Sequence, residues 1–254
     1  EWVKAIMDEY PHLNIVGECW TRPASAVAYW QTGVKNYNGF DSHLPSVMDF
    51  PVEEAIRQAL EKDGKQWGEG LTRVYDAVAM DYLYGDVNNI LLMLGNHDMD
   101  RIADVVMDQD PRRVKIAYTL LATMRGIPQV FYGDEYAMKS ADRRMGHSTL
   151  RMPLPLGEAV TAEMQDMFDY QSRLFQWRKG EKVIHTGRTM HFMSRDNTYA
   201  YFRYNDEEAV FVFVNASDAD RTIPTAHYAE ILGKYKPVGV DVISGKTYDL
   251  SQKD

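Results

Sequence analysis

Cysteine occurs once, at Cys19, in 254 residues, so an intrachain disulfide framework is excluded. Positive charge is in deficit: 28 Lys and Arg stand against 37 Asp and Glu, a formal net charge of −9. An acidic chain repels polyanions, which makes nucleic acid and anionic membrane poor partners and leaves neutral substrates open. Long apolar runs are missing too. The longest, Ala209-Val210-Phe211-Val212-Phe213-Val214, falls far short of the roughly 20 residues a membrane helix needs. There are no repeats and no low-complexity tract. His97, Asp98 and Asp100 have no second histidine at ligand spacing, which argues against a metal site. The first residue is Glu1 rather than a start Met, with no signal peptide, so the sequence reads as processed or cut from something longer.

What is present is ordinary globular material, 45% hydrophobic and 26% charged. Dividing the length by the usual domain size gives about 1.7 domains, enough to bury a core without staples. Helical spacing covers Trp2 to Met7, closed by Pro11, then Ala24–Trp30, Val52–Leu60 behind Pro51, and Leu71–Tyr82. Asp110-Pro111 caps a helix over Arg112–Arg125 that stops at Gly126, and Thr161–Trp177 is a long amphipathic helix capped by Thr161. Short strands are expected at Asn14–Glu18, Ser46–Phe50, Ile90–Gly95 and Pro128–Tyr132. Strand and helix alternate up to Trp177, which predicts a parallel sheet. Beyond a boundary at Gly180–Lys182 the period changes. Met190, Phe192, Tyr199, Tyr201 and Val210–Val214 read as antiparallel strands, with a last hairpin of Val240–Ile243 and Thr247–Leu250 about Gly245.

Acidic residues sit at three of the four strand ends, and parallel sheets bind ligands there. Glu18, beside Trp20, reads either as a general acid kept protonated by aromatic neighbours or as a surface or ion-paired carboxylate. Asn96-His97-Asp98 offers an imidazole and a carboxylate to sugar hydroxyls, or is turn chemistry. Trp20 by itself reads as a core or rim aromatic. Arg101 pairs with an active-site carboxylate or forms a surface ion pair. Asp142-Arg143-Arg144 reads by itself as a solvated charged loop.

Asn14-Ile15-Val16-Gly17-Glu18-Cys19-Trp20 resembles the strand-five motif of the α-amylase superfamily, glycoside hydrolase family 13, and Leu94-Gly95-Asn96-His97-Asp98 resembles its strand-seven motif. Ser46–Pro51 resembles strand six. Gly126-Ile127-Pro128 with Phe131-Tyr132-Gly133-Asp134-Glu135 resembles strand eight. Within the family, Trp20 points to the cyclomaltodextrinase and neopullulanase group. The resemblance implies an α/β fold: the C-terminal half of a (β/α)8 TIM barrel, strands five to eight, over residues 1–180, then an antiparallel β-sandwich over 181–254, itself truncated. It implies Glu18 and Asp98 as catalytic residues and His97, Trp20, Arg101, Asp142 and Arg144 as substrate-binding residues, acting on an α-glucan oligosaccharide.

The family's nucleophile is an aspartate in an Arg-x-Asp motif after strand four, and this sequence has no such motif. The chain alone is therefore expected to be inactive and to pair, through unpaired strand edges, with the N-terminal half of the same enzyme. Alternatives are an α-glucosidase or transglycosylase of the same superfamily, a non-catalytic glycan-binding relative, and an α/β metal-dependent hydrolase. No cofactor is required; calcium occurs in many relatives, but no ligand cluster points to it. By resemblance the periplasm or the cell exterior is favoured as location, with the cytoplasm open.

Overall fold

The computed structural model describes every residue except Asp63, Lys65, Gln109, Asp142 and 252–254, and leaves the side chains of residues 143–145 undescribed. In chain order, α1 (Trp2–Glu9) leads to β1 (Val16–Gly17), α2 (Ala24–Ala28), β2 (Ser46–Val47), α3 (Phe50–Glu61) and α4 (Thr72–Val78). Then follow β3 (Leu91–Leu92), α5 (Ile102–Val106), α6 (Pro111–Thr123), β4 (Ile127–Pro128) and α7 (Ala162–Gly180). The tail contains α8 (Lys182–Thr186), β5 (Arg188–Arg195), β6 (Thr198–Tyr204), β7 (Ala209–Asn215), α9 (Ala229–Leu232), β8 (Val238–Val240) and β9 (Thr247–Asp249).

The alternating part is parallel, as its pattern predicts. β1 pairs with β2 and β3 with β4, and a single parallel bridge, Met48 to Leu91, joins the two pairs. The four strands therefore lie in chain order, with all carboxyl ends on one side. Each ladder is only two residues long, shorter than the sequence pattern suggests. Asp49 and Phe50, expected in a strand, turn into α3 instead, because the Asp49 carboxylate accepts from the Val52 N–H at 3.2 Å and Pro51 occupies the first turn. Pro128 sits in β4 without cost to the ladder. The N–H groups of its neighbours Ile127 and Gln129 donate to Ile90 and Leu92 at 2.8 Å each, so the N–H that proline lacks is not called on.

The tail is antiparallel, β5-β6-β7 in one sheet and β8-β9 in a separate hairpin. The hairpin is shifted from the expected register. Asp241 to Lys246 forms its turn, closed by Gly245 N–H to Asp241 O at 2.8 Å, with Gly245 at φ +71 where a side chain would be strained. One face of the sheet joins the helical core, while Ala200 and Phe202 on the other face bury a separate cluster with Tyr228, Ile231 and Leu232. Ile56, Leu60 and Val74 of α3 and α4 and Leu120 and Leu121 of α6 share one buried cluster with Tyr199, Tyr201, Val212 and Val214 of the sheet.

Buried polar ties reinforce that junction. Arg178, near the end of α7, donates to the carbonyls of Ala122, Met124 and Gly126 at 2.7, 3.1 and 2.6 Å, satisfying acceptors that the end of α6 leaves open. Arg203 on β6 reaches Asn88 Oδ1 at 2.7 Å and Ile184 O at 2.9 Å. Arg125 is enclosed between Asp49, at 2.5 Å, and Asp81, at 2.9 Å from Nε. Burial works against its charge, but the two carboxylates outweigh it and hold Arg125 protonated.

Glu53, in the first turn of α3, gives this region a pH dependence. Burial pushes its carboxyl up to about 7, against the pull of the Arg57 guanidinium. The folded state thus holds the proton more tightly than the unfolded chain, so stability is lost as pH climbs through that range. Glu53→Gln is expected to gain about 2 kcal/mol over wild type at pH 8 and almost nothing at pH 4. Urea unfolding at both pH values checks this, and equal gains would contradict it.

Candidate active site

Two loops leave the carboxyl ends of β1 and β3, with β2 between them, and they carry the two carboxylates singled out from the sequence. Glu18 follows directly on β1 and is exposed. The aromatic enclosure expected around it is not formed, because the nearby indole is occupied elsewhere. The Trp20 ring lies flat on Phe50, with centroids 5.5 Å apart and planes 9° apart. Phe50 is buried while Trp20 is 57% exposed, so one face of the indole is packed and the other is open. A flat open aromatic face two residues after Glu18 suits a sugar ring.

The second loop is folded tightly. Asn96 is buried, and its Oδ1 accepts from the Asp98 N–H at 2.8 Å. Gly95 permits the turn, since a Cβ there would come within 3.1 Å of Asp100 O. The Asp98 carboxylate then meets three basic side chains: His97 Nε2 at 3.2 Å, His147 Nδ1 at 3.3 Å and Arg151 Nη2 at 3.1 Å. The hydrogen bond from His147 first, and then the charges of His97 and Arg151, hold its carboxyl below the ordinary aspartate range. Asp98 is therefore an ionised acceptor, able to bind hydroxyls and to stabilise positive charge in a transition state.

His147 and Arg151 were not foreseen from the sequence. They come from the irregular stretch after β4, 49 and 53 residues beyond Asp98. The only available signal was a basic pair four residues apart. Asp142 and the side chain of Arg144, expected as substrate-binding residues, lie outside the described residues.

Arg101 corrects an expectation. It is neither on a binding surface nor in a surface ion pair. The residue is fully buried, and its Nη1 lies 2.6 Å from Asp134 Oδ1. The reason is local: its guanidinium stacks over Phe131 at 4.4 Å and is spent on loop carbonyls. Burial pushes the Asp134 carboxyl up to about 6 although Arg101 and Tyr118 pull it down. Among the described residues no group of three or more His, Cys, Asp or Glu side chains is placed to hold a metal ion. No helix among them is long and apolar enough to cross a membrane.

Residues 189–253 match the family described as the cyclo-malto-dextrinase C-terminal domain. A cyclomaltodextrin glucanotransferase of Geobacillus stearothermophilus is 23% identical over 252 residues, covering 91% of this chain and 32% of its own. Among solved structures, AmyP in complex with maltose superposes with a TM-score of 0.74 at 18% identity, over 93% of this chain and 51% of its own. An α-amylase from Geobacillus thermoleovorans complexed with acarbose does so at 0.67 and 20% identity, over 85% and 44%. The chain spans about a third of the length of the curated relatives it matches, as the 32% and 31% shares show.

Proposed function

We infer the function from a chain that resembles the C-terminal region of the α-amylase superfamily, glycoside hydrolase family 13: it is part of an enzyme acting on α-glucans, a retaining hydrolase of α-1,4-glucosidic bonds in maltodextrins, cyclodextrins, pullulan or starch. Residues 1–180 are the second half of a (β/α)8 barrel and residues 181–254 are most of its β-sandwich. One observation carries this reading. Glu18 and Asp98 leave the carboxyl ends of two strands of one parallel array, separated by a single strand, so the two loops rise about 10 Å apart on one rim.

Glu18 protonates the glycosidic oxygen of the leaving sugar and then takes a proton from water to release the glycosyl-enzyme. Asp98 and His97 hold hydroxyls of the reacting ring and stabilise its positive charge. Trp20 stacks on the outgoing sugar. The nucleophile comes from the N-terminal half of the same enzyme, about 5–5.5 Å from Glu18 across the scissile bond. The exposed apolar side chains on the two outer strand segments, Val16 on β1 and Ile127 and Val130 at β4, are the faces that half covers.

A second reading, transfer of the glycosyl group to another sugar, is favoured by the glucanotransferases among the relatives and by the open face of Trp20, which can seat an acceptor. Product analysis of maltoheptaose treated with the full-length protein, with and without added glucose, separates them. Hydrolysis gives short maltodextrins in both. Transfer gives new chain lengths once acceptor is present. Intact maltoheptaose in both sinks the enzymatic reading.

A further inference from the structure

We propose that Arg101 and Asp134 are a buried positioning pair that seats the Asp98 carboxylate against Arg151 and His147. The connections are short in every direction. Arg101 lies three residues after Asp98. Its Nη1 donates to Tyr132 O at 2.8 Å and to Asp134 Oδ1 at 2.6 Å. Its Nη2 donates to Leu150 O at 2.9 Å, the carbonyl immediately before Arg151. The Arg101 N–H donates to Asp104 at 3.1 Å, and the same carboxylate accepts from the Ser140 hydroxyl at 2.5 Å. One guanidinium thus joins the Asp98 loop, the exit of β4, and the end of the stretch that supplies His147 and Arg151. Asp134 is itself anchored, its carbonyl accepting from Gln171 of α7 at 2.9 Å.

Among the described residues no strand ladder joins these loops, so their relative placement depends on side chains. A planar fork with fixed donor directions fixes that placement, which a single ammonium cannot do. A pair serving stability alone has little need to spend its donors on two loop carbonyls, since apolar groups of similar volume stabilise a core as well or better. Arg101 touches no substrate; it acts through Asp98.

The catalytic consequence rests on the reading of Asp98 given above, whereas the positioning itself does not, and the experiment separates the two. Arg101→Lys and the milder Asp134→Asn are made in the full-length protein, with folding checked by circular dichroism. The Asp98 carboxyl is then titrated by carbon-13 resonance. Both variants are expected to raise the Asp98 midpoint toward the ordinary carboxylate range, Arg101→Lys more strongly. On maltodextrin, kcat is expected to fall about 10- to 100-fold, with KM changed about twofold at most. A folded variant of either kind whose Asp98 midpoint matches wild type overturns the proposal. A raised midpoint with undiminished kcat supports the positioning and refutes a catalytic role for Asp98.

Discussion

Glu18→Gln in the full-length protein is expected to slow maltodextrin cleavage by about 10²- to 10⁴-fold, and residues 1–254 without the nucleophile are expected to cleave none. Glutamine keeps the volume and can still accept a hydrogen bond, so binding survives and the loss falls on kcat. What it cannot do is pass a proton to the leaving oxygen or take one from water. The leaving group gives a sharper reading than the size of the loss. An aryl α-maltoside with an acidic phenol departs with little protonation, so its first step is expected to lose far less than that of maltoheptaose. Burst kinetics on the two substrates measures this. Equal losses on both would remove Glu18 from the acid role, and a loss below about tenfold on maltoheptaose would remove it from the chemistry.

Arg125→Met is expected to destabilise the protein by about 3–5 kcal/mol, the usual result of stripping the partner from a buried charge. Asp49 is fully buried and, without its counterion, must carry an unpaired charge or take up a proton that burial already favours, while Asp81, 19% exposed at its side chain, can turn to water. The double variant Arg125→Met with Asp49→Leu separates charge from packing. It removes both buried charges and is expected to recover most of the loss, short of about 1 kcal/mol for the cap that Asp49 provides to α3. Urea unfolding of the three proteins checks the sequence of stabilities. A single-variant loss under about 1 kcal/mol would place the Arg125 pairs with surface ion pairs.

Local chemistry was legible in the sequence. Asp110 accepts from the Arg112 N–H at 2.9 Å and Thr161 from that of Met164 at 3.3 Å, as cap residues before helices should. The parallel order followed from the alternation of strand and helix, and the switch to antiparallel strands from the change of period. What could not be read depends on residues far apart in the chain. Arg125 reads as the last residue of α6, but that helix ends at Thr123 and the guanidinium turns toward Asp49 and Asp81, 76 and 44 residues away. Arg101 carries no local sign that its partner is 33 residues on. The same holds at the candidate site. Glu18, Trp20 and Asp98 announce themselves by motif, whereas His147 and Arg151 are defined only by where the chain after β4 returns.

The Arg178 tie bears on how the chain is made. The carbonyls of Ala122, Met124 and Gly126 wait for a donor that lies 52 to 56 residues later in translation. The core shared with Tyr199 and Tyr201 waits longer still. On the ribosome the short parallel ladders are therefore synthesised well before the residues of α7 and β6 that support them. The last third of this chain thus supplies the support that its short parallel ladders lack when they are made.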